Sequence, residues 1–314
     1  MGNPFVFIVG CPRSGTTLLQ RMVNAHPQIA ITPESHWIPH LYQKLWAVTS
    51  AGVIEHKLVR ELGKHPKFAR LGIGREELKK LERLSRNGHP LTYSSFVTAI
   101  FDLYGKAQGK PLAGDKTPDY VRRIDVLHEL WPEARFVHVI RDGRDVCLSM
   151  REWPKVHPKP GDFVTWKDDP VSTAAWWWGF NVRLGRDAGR PLGSGQYYEL
   201  RYEALVTRPR EEVQQLCAFL GLPFDEAMVR FHEDRAKPDP GLEPKRAGLP
   251  VTPGLRDWQS QMAAGEVELF EAAAGEVLDE LNYPRAVHSL RPEVLDRVAR
   301  VRHLLAEDPR THDR

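Results

Sequence analysis

The most distinctive chemical feature of the sequence is a pair of glycines five positions apart, directly after an apolar run. Residues 4–9 (PFVFIV) are predicted to form a β-strand, Gly10 to Gly15 enclose Cys-Pro-Arg-Ser, and a helical pattern follows from Thr16. This is the glycine spacing of a phosphate-binding loop, in which backbone N–H groups and a helix N-terminus surround an anion. The loop therefore predicts a site for a phosphate-type ligand.

The loop lacks the groups with which a nucleotide hydrolase binds magnesium. Such loops carry Lys and then Ser or Thr after the second glycine, because Lys reaches the outer phosphates and the hydroxyl holds the metal. Here Thr16 and Thr17 follow Gly15, and the strand predicted at 136–140 ends in Arg141 instead of an acid. We therefore expect an anion site that works without a metal.

Arg141 and Ser149 form a second candidate anion site. Arg141 follows a predicted strand, and Ser149 lies eight residues later, on the next predicted helix. A guanidinium fork and a hydroxyl together suit a phosphate group. Taken alone, a surface ion pair of Arg141 with Asp142 or Asp145 is the simpler interpretation. Two anion sites at neighbouring strand ends instead favour a nucleotide with phosphates at both its 5′ and 3′ positions.

These loops need a sheet to place them, and the order of elements predicts one. Strands are predicted at 4–9, 29–32, 136–140 and 196–201, and helical patterns separate them. Alternating strands and helices give parallel pairing, with helices on both faces of the sheet. The predicted fold class is α/β, a three-layer P-loop-type fold with a central parallel sheet flanked by helices. Ligands bind beyond the carboxyl ends of such strands.

The remaining pattern divides the chain into one main domain and a tail. Residues 1–285 are predicted to form a single domain, and 286–314 a helical tail that includes a helix at 292–306. Segments 38–110 and 151–172 are variable candidates for acceptor binding, and 38–110 has a largely helical pattern.

Composition limits the possible classes of protein. The 314 residues include 44 basic and 41 acidic ones, a net charge of +3, which excludes a supercharged protein that coats nucleic acid. No apolar run approaches the ~20 residues that a membrane span requires. Three cysteines cannot form a disulfide framework, so we expect a reducing, cytoplasmic location.

The two candidate anion sites resemble motifs of a known family. Pro12 to Leu18 resembles the 5′-phosphosulfate loop of sulfotransferases that use 3′-phosphoadenosine 5′-phosphosulfate (PAPS), and Arg141 to Ser149 resembles their 3′-phosphate motif. Tyr198 to Val206 and Gly254 to Trp258 agree with later family motifs. The branch with the most similar motifs is the tyrosylprotein sulfotransferase-like one. The resemblance implies transfer of a sulfuryl group from PAPS to a hydroxyl, with 3′-phosphoadenosine 5′-phosphate (PAP) as product and no metal.

The resemblance also implies roles for individual residues. Glu34 occupies the place of the catalytic glutamate and would accept the hydroxyl proton, while His36 is the competing base. Lys116 resembles the family lysine that neutralises charge on the bridging oxygen of the leaving group, and a surface pair with Asp115 is its simpler alternative. Arg13 belongs to both the catalytic and the cofactor-binding sets. The other expected cofactor-binding residues are Ser14, Gly15, Thr16, Thr17, Arg141, Ser149 and Tyr202.

The loop at 232–256 departs from the family pattern. Cytosolic relatives carry an Arg-Lys-Gly triplet just before a Gly-x-Trp element, whereas Lys245-Arg246-Ala247-Gly248 stands further upstream of Trp258 here. We expect this loop to close over the cofactor and to contribute a cation from Lys245, Arg246 or Arg256, and Arg246 and Arg256 complete the predicted site.

Two other functions and the identity of the acceptor stay open. A small-molecule kinase would need Asp115 to bind magnesium, and a non-catalytic nucleotide-binding protein is the third possibility. The partner of a sulfotransferase is a hydroxyl-bearing acceptor, either a small molecule, a lipid or a peptide, in a monomer or homodimer that binds no nucleic acid. Four tryptophans have two possible roles, as an aromatic wall for the acceptor or as ordinary core residues: Trp37, Trp46, Trp153 and Trp166.

Overall fold

The computed structural model of this chain describes residues 2–86, 90–152, 163–233, 252, 254 and 256–308, without the side chain of Arg86. The strands are β1 (Val6–Val9), β2 (Ile29–Thr32), β3 (Leu112–Lys116), β4 (Arg135–Ile140) and β5 (Tyr197–Arg201). The helices are α1 (Thr16–Asn24), α2 (Ile38–Tyr42), α3 (His56–Leu62), α4 (Pro66–Ala69), α5 (Arg75–Arg86), α6 (Tyr93–Ala107), α7 (Ile124–Leu130), α8 (Gly143–Glu152), α9 (Pro170–Gly189), α10 (Tyr202–Thr207), α11 (Pro209–Leu220), α12 (Trp258–Gln261), α13 (Ala264–Glu280) and α14 (Pro292–Ala306). Short 3₁₀ helices occupy Pro118–Arg122, Arg190–Leu192 and Glu226–Met228.

The strands form one parallel sheet with the order β2-β3-β1-β4-β5. The chain leaves β1 for the edge strand β2, returns through β3, and then continues on the other side of β1. The order of strands therefore reverses at β1, and a crevice opens at the carboxyl ends of β1 and its neighbours. Each of the two predicted anion sites begins at one of these strand ends.

Alternating side chains of β1 supply both cores of the sheet. Phe7 and Val9 pack on one face, with helices α2, α3, α6 and α7. Val6 and Ile8 pack on the other face, with α1 and α11. All four side chains are buried, as expected for a parallel strand covered on both sides. The predicted α/β class, with a central parallel sheet between helical layers, is confirmed.

Strand β3 is not among the strands that the sequence pattern predicts. It lies between β1 and β2, and its residues Asp115 and Lys116 pair with Phe7 and Ile8 of β1. The sequence Leu-Ala-Gly-Asp-Lys has too few large apolar side chains to indicate a buried strand. Its pairing with strands distant in the sequence determines its conformation instead.

The predicted helices agree with the structure more closely. The helix expected to begin at Pro209 does so, and Gly221 ends it in a left-handed conformation with φ 64°. The last helix matches its predicted span of 292–306, and its buried side chains pack against the domain through the core that contains Val301 and Leu305. The division into a 1–285 domain and a 286–314 tail stays a prediction.

The arginine after the β4 turn is a fully buried charge near the crevice. The Arg144 side chain is fully buried, and it donates two hydrogen bonds to Asp142, at 2.7 and 3.0 Å, and one to Glu271, at 2.9 Å. Its guanidinium also lies 3.6 Å from the centroid of the Trp258 ring. This cluster joins the start of α8, which carries Ser149, to α12 and α13.

We expect Arg144→Met to lower the free energy of unfolding by about 3–5 kcal/mol, because Asp142 and Glu271 then lose their buried cation. Urea denaturation followed by circular dichroism measures this. Arg183→Met is the matched control: Arg183 also binds two carboxylates but is 44% exposed, so about 1 kcal/mol or less should be lost. Equal losses in the two variants would show that the buried cluster does not hold α8 in place.

Candidate active site

The loop from β1 to α1 lies against the end of β5. Gly15 begins α1 with φ 95°, a left-handed conformation that favours glycine. A Cβ atom on Gly15 would come within 2.3 Å of the Tyr202 ring, so the close contact itself requires glycine. The Tyr202 ring is 4.2 Å from the Arg141 guanidinium carbon. The phosphate-type loop, Tyr202 and Arg141 are therefore in one cluster, as the sequence predicts.

The two candidate anion motifs also touch directly. Arg13 Nε donates a hydrogen bond of 3.0 Å to Ser149 Oγ, across the junction of β1 and β4. Arg13 is exposed and has a φ of 76°, which is uncommon for a residue other than glycine. Ser149 is buried. The two motifs thus form one continuous site.

Arg141 has an internal carboxylate partner. Its Nη2 lies 3.4 Å from Asp145 Oδ2, and both side chains are largely buried. Burial raises the pKa of Asp145 to about 6, although the charge of Arg141 acts to lower it. The surface ion pair considered for Arg141 is therefore wrong in its location: the pair exists, but it lies within the crevice.

Glu34 and Lys116 form the second half of the site. Lys116, the last residue of β3, is 4% exposed, and its Nζ donates to Glu34 Oε1 at 2.7 Å and to Thr17 Oγ1 at 3.3 Å. Lys116 thus connects the expected base to the first turn of α1. The alternative pairing of Lys116 with Asp115 is wrong, because the two side chains point to opposite faces of the strand.

The neighbouring side chains of Glu34 lower its pKa. Burial alone would raise the pKa of Glu34, but the hydrogen bonds and charges of His36 and Lys116 together hold that pKa well below its usual range. His36 Nε2 lies 3.2 Å from Glu34 Oε2, and Lys67 Nζ lies 4.0 Å from the same oxygen. Glu34 is therefore ionised and able to accept a proton.

A buried polar network, which the sequence motifs do not reveal, supports Glu34. Tyr120 OH is 2.7 Å from Ser35 Oγ and accepts a 3.0 Å hydrogen bond from the Ile38 N–H. Thr117 Oγ1 accepts a 2.9 Å bond from the Ser35 N–H. These groups tie the segment after β2 to the segment after β3. Only the paired β2 and β3 bring them together, so the sequence gives no signal for them.

Asp115 has a structural place in this network. It is fully buried, and the Thr32 hydroxyl donates to its Oδ2 at 2.9 Å. A magnesium-binding role, which the kinase alternative needs, would require access that this side chain does not have.

Of the three candidate cations in the 232–256 loop, the structure describes Arg256. Arg256 forms an ion pair with Glu152 at the end of α8. Lys245 and Arg246 lie outside the described residues. Their contact with a cofactor, and the closure of the loop, stay predictions.

The tryptophans divide between core and partly buried positions. Trp37 is 1% exposed and belongs to the core, so it does not form an acceptor wall. Trp46 and Trp166 are partly buried and pack against two different cores. Trp153 lies outside the described residues. Ordinary packing explains the described members of this set.

The arrangement fits a ligand with more than one anionic group. Ser14 Oγ and Arg141 Nε are among the buried side-chain atoms of the described residues that have no hydrogen-bond partner. Such atoms are uncommon in folded proteins, and these two belong to the expected anion sites. The first turn of α1 adds N–H groups without intrahelical partners. Serine, arginine and backbone donors are the groups that bind phosphate oxygens.

This fold and this combination of groups resemble those of the sulfotransferase class, and the comparison with known families agrees. The model of the Sulfotransferase family matches residues 4–226. The chain therefore belongs to the sulfotransferase family.

The curated relatives are longer proteins. The nodulation protein NoeE of Sinorhizobium fredii is 32% identical over 234 residues, which cover 72% of this chain and 51% of that protein. Protein-tyrosine sulfotransferase A of Caenorhabditis elegans is 26% identical over 233 residues, 74% of this chain and 53% of that protein. The chain thus spans about half the length of these relatives.

One solved structure is matched over nearly its whole length, unlike the longer relatives. The sulfotransferase domain from the olefin synthase of Synechococcus PCC 7002 is 25% identical, with a TM-score of 0.59 over 89% of this chain and 94% of that domain. The family and the α/β fold were thus predicted correctly from the motifs.

The described residues include neither a candidate membrane span nor a candidate metal cluster. None of the helices in those ranges is long and apolar enough to cross a membrane. The same ranges contain no group of three or more His, Cys, Asp or Glu side chains suited to hold a metal ion. The metal-free reaction stays a prediction.

We expect Asp115→Asn to stabilise the protein only at high pH. Burial raises the pKa of Asp115 from 3.8 to about 6, so the folded protein binds this proton more tightly than the unfolded chain does. Ionised Asp115 therefore destabilises the fold above about pH 6, and this effect is lost as the pH falls towards 4. The variant should gain about 1–3 kcal/mol at pH 8 and nothing at pH 4.

Urea denaturation at the two pH values measures the difference. Asp187→Asn, at an exposed position, is the control for loss of one negative charge. A gain of the same size at both pH values would rule out burial of the Asp115 charge as its cause.

Proposed function

We propose that this protein transfers a sulfuryl group from PAPS to the hydroxyl of an acceptor and releases PAP. The observation that carries the proposal is the junction of three groups at one crevice: Glu34 with Lys116, Arg13 with Ser149, and Arg141 with Tyr202. The first pair offers a base and a buried cation. The other two offer anion donors at separate strand ends, as a nucleotide phosphorylated at two positions requires.

The bound nucleotide would lie across the strand ends. Ser14, Gly15, Thr16 and Thr17, with the helix N-terminus, would hold its 5′ side. The 3′-phosphate would bind Arg141 and Ser149, and Tyr202 would contact the nucleotide beside them. The other predicted contributors, Arg246 and Arg256, belong to the loop at 232–256. PAPS supplies an activated sulfuryl group when bound.

Each catalytic side chain has a defined task in this proposal. Glu34 accepts the proton of the acceptor hydroxyl, since it is ionised and partly exposed to the crevice. Lys116 is already between Glu34 and Thr17, so its charge can stabilise the negative charge that develops on the phosphate side. Arg13 adds a second cation from the loop. Positioning and electrostatics dominate this kind of transfer.

The geometry favours this function over the two alternatives. The kinase alternative lacks an accessible acid at the position of Asp115. The non-catalytic alternative does not account for an ionised Glu34 beside the buried cation Lys116. The acceptor is proposed as a small molecule or a peptide natural product, and the cytoplasmic location and the monomeric or dimeric state stay predictions.

Nucleotide selectivity tests the proposed binding mode. Wild-type protein should bind PAP more tightly than adenosine 5′-phosphate, as measured by isothermal titration calorimetry. Arg141→Met should weaken PAP binding by about 10- to 100-fold, because a charged hydrogen bond to the 3′-phosphate is lost, and should leave adenosine 5′-phosphate binding nearly unchanged.

The control is Arg151→Met on α8, where the arginine pairs with Glu266 at 2.8 Å. This variant should bind PAP like the wild type. Tighter binding of ATP than of PAP, together with magnesium-dependent turnover, would refute the proposed function.

Replacement of the base tests the chemistry. Glu34→Gln keeps the size of the side chain but not its basicity, so the rate of PAP formation from PAPS should fall by about 10²- to 10⁴-fold. A panel of phenols and aliphatic alcohols serves as acceptors, and PAP affinity should stay within about threefold. Glu61→Gln, a surface glutamate on α3, should retain the wild-type rate. An unchanged rate in Glu34→Gln would refute the role of Glu34 as base.

A further inference from the structure

The backbone at His36 is held in an unusual conformation. Its φ is 56°, in the left-handed region that residues with a side chain seldom adopt. Hydrogen bonds on both sides fix this conformation, from the Ser35 N–H to Thr117 and from the Ile38 N–H to Tyr120. Conformations of this kind persist only where the surrounding structure determines them, and they often occur at functional sites. The position of the His36 ring is the consequence.

The His36 ring lies between two carboxylates. Its Nε2 is 3.2 Å from Glu34 Oε2, and its Nδ1 is 3.7 Å from Asp119 Oδ2. The second oxygen of Asp119 accepts a 3.1 Å hydrogen bond from Arg122. Arg122 is in turn held by Asn181 Oδ1 at 2.9 Å, so Asp119 is fixed in place. The three side chains form an ordered row: Glu34, His36 and Asp119.

The two oxygens of Glu34 face different surroundings. Oε1 receives the buried Lys116, and Oε2 faces the His36 ring, which is 32% exposed. The Glu34 side chain is 31% exposed, and an acceptor that reaches Glu34 must cover part of that exposed surface. The ring is then a path by which a proton on Glu34 can reach water. Histidine suits this task because one ring nitrogen can gain a proton while the other releases one.

We propose that His36 carries the acceptor proton from Glu34 to solvent, and that Asp119 is a positioning residue for the His36 ring. This inference rests on the proposed function. As the acceptor oxygen bonds to sulfur and the bond from sulfur to the leaving phosphate breaks, the hydroxyl proton passes to Glu34. It then moves from Oε2 to Nε2 of a neutral His36 ring that carries its hydrogen on Nδ1, beside Asp119. The Nδ1 proton leaves to water, and proton exchange with water restores the starting tautomer. Glu34 and His36 thus act in sequence and do not compete as bases.

The test removes the ring without straining the backbone. His36→Gly suits a φ of 56°, so the variant should fold with a melting temperature close to that of the wild type. Its kcat for PAP formation from PAPS should fall by about 10- to 100-fold. Imidazole added to the assay should restore at least a third of the wild-type kcat, because the vacated place is open to solvent. A purely structural role of His36 would not respond to imidazole.

The control for backbone relief is Asn282→Gly, at a position with φ 57° that is not among the proposed site residues. It should keep both its melting temperature and its kcat, with or without imidazole. Asp119→Asn should lower kcat by about 3- to 10-fold without a change in KM. Since Asp119 acts through the ring, the double variant His36→Gly/Asp119→Asn should be no slower than His36→Gly alone.

The outcomes separate this inference from the proposed function. If wild-type protein forms no PAP from PAPS with any acceptor in the panel, the proposed function fails. If the wild type is active, the inference is overturned when His36→Gly keeps full activity, or loses it without rescue by imidazole. It is also overturned when the losses of His36→Gly and Asp119→Asn multiply in the double variant. Rescue together with non-additive losses supports the proposal.

Discussion

A lysine ammonium group removed from water needs a partner, and the pairing of Lys116 with Glu34 meets this need at the centre of the site. Lys116 ends β3 and Glu34 follows β2, so the ion pair joins two strand ends that only the sheet brings together. A hydrogen bond to Thr17 extends the connection to the first turn of α1. Loss of either charge would leave the other poorly solvated, so the pair constrains both loops.

The same pair sets the chemistry available to Glu34. A carboxylate whose pKa lies far below its usual range is ionised but only weakly basic. Lys116 lies between Glu34 and Thr17, so its charge acts on Glu34 and would also act on an anion bound beside Thr17. In the proposed function, an anionic substrate would add negative charge near Lys116 and Glu34 and would thereby raise the pKa of Glu34.

A feature could be predicted from the sequence where residues close together in the chain determine it. It could not be predicted where contacts between distant segments determine it. The β1 strand, its glycine loop and the Pro209 helix are encoded locally, and their predictions are confirmed. Strand β3 was missed because long-range pairing defines it: a Cβ on Gly114 would lie 2.5 Å from the Val6 carbonyl oxygen of β1. Glu34 and Lys116 could be named through resemblance, but their ion pair and its support by Tyr120 depend on β2 and β3 being neighbours.

The small net charge of the protein conceals a site in which cations have carboxylate partners. Arg141 lies beside Asp145, and Lys116 beside Glu34, so an anionic ligand must compete with groups of the protein itself. Burial raises the pKa of Asp145 to about 6, whereas the pKa of Glu34 is held well below its usual range. The carboxylate beside Arg141 is therefore the more easily protonated of the two. A ligand with a single anionic group can replace one partner, whereas a nucleotide phosphorylated at two positions can engage both cations in one binding event. In the proposed function, selectivity for such a nucleotide would follow from the pairing as much as from the cations.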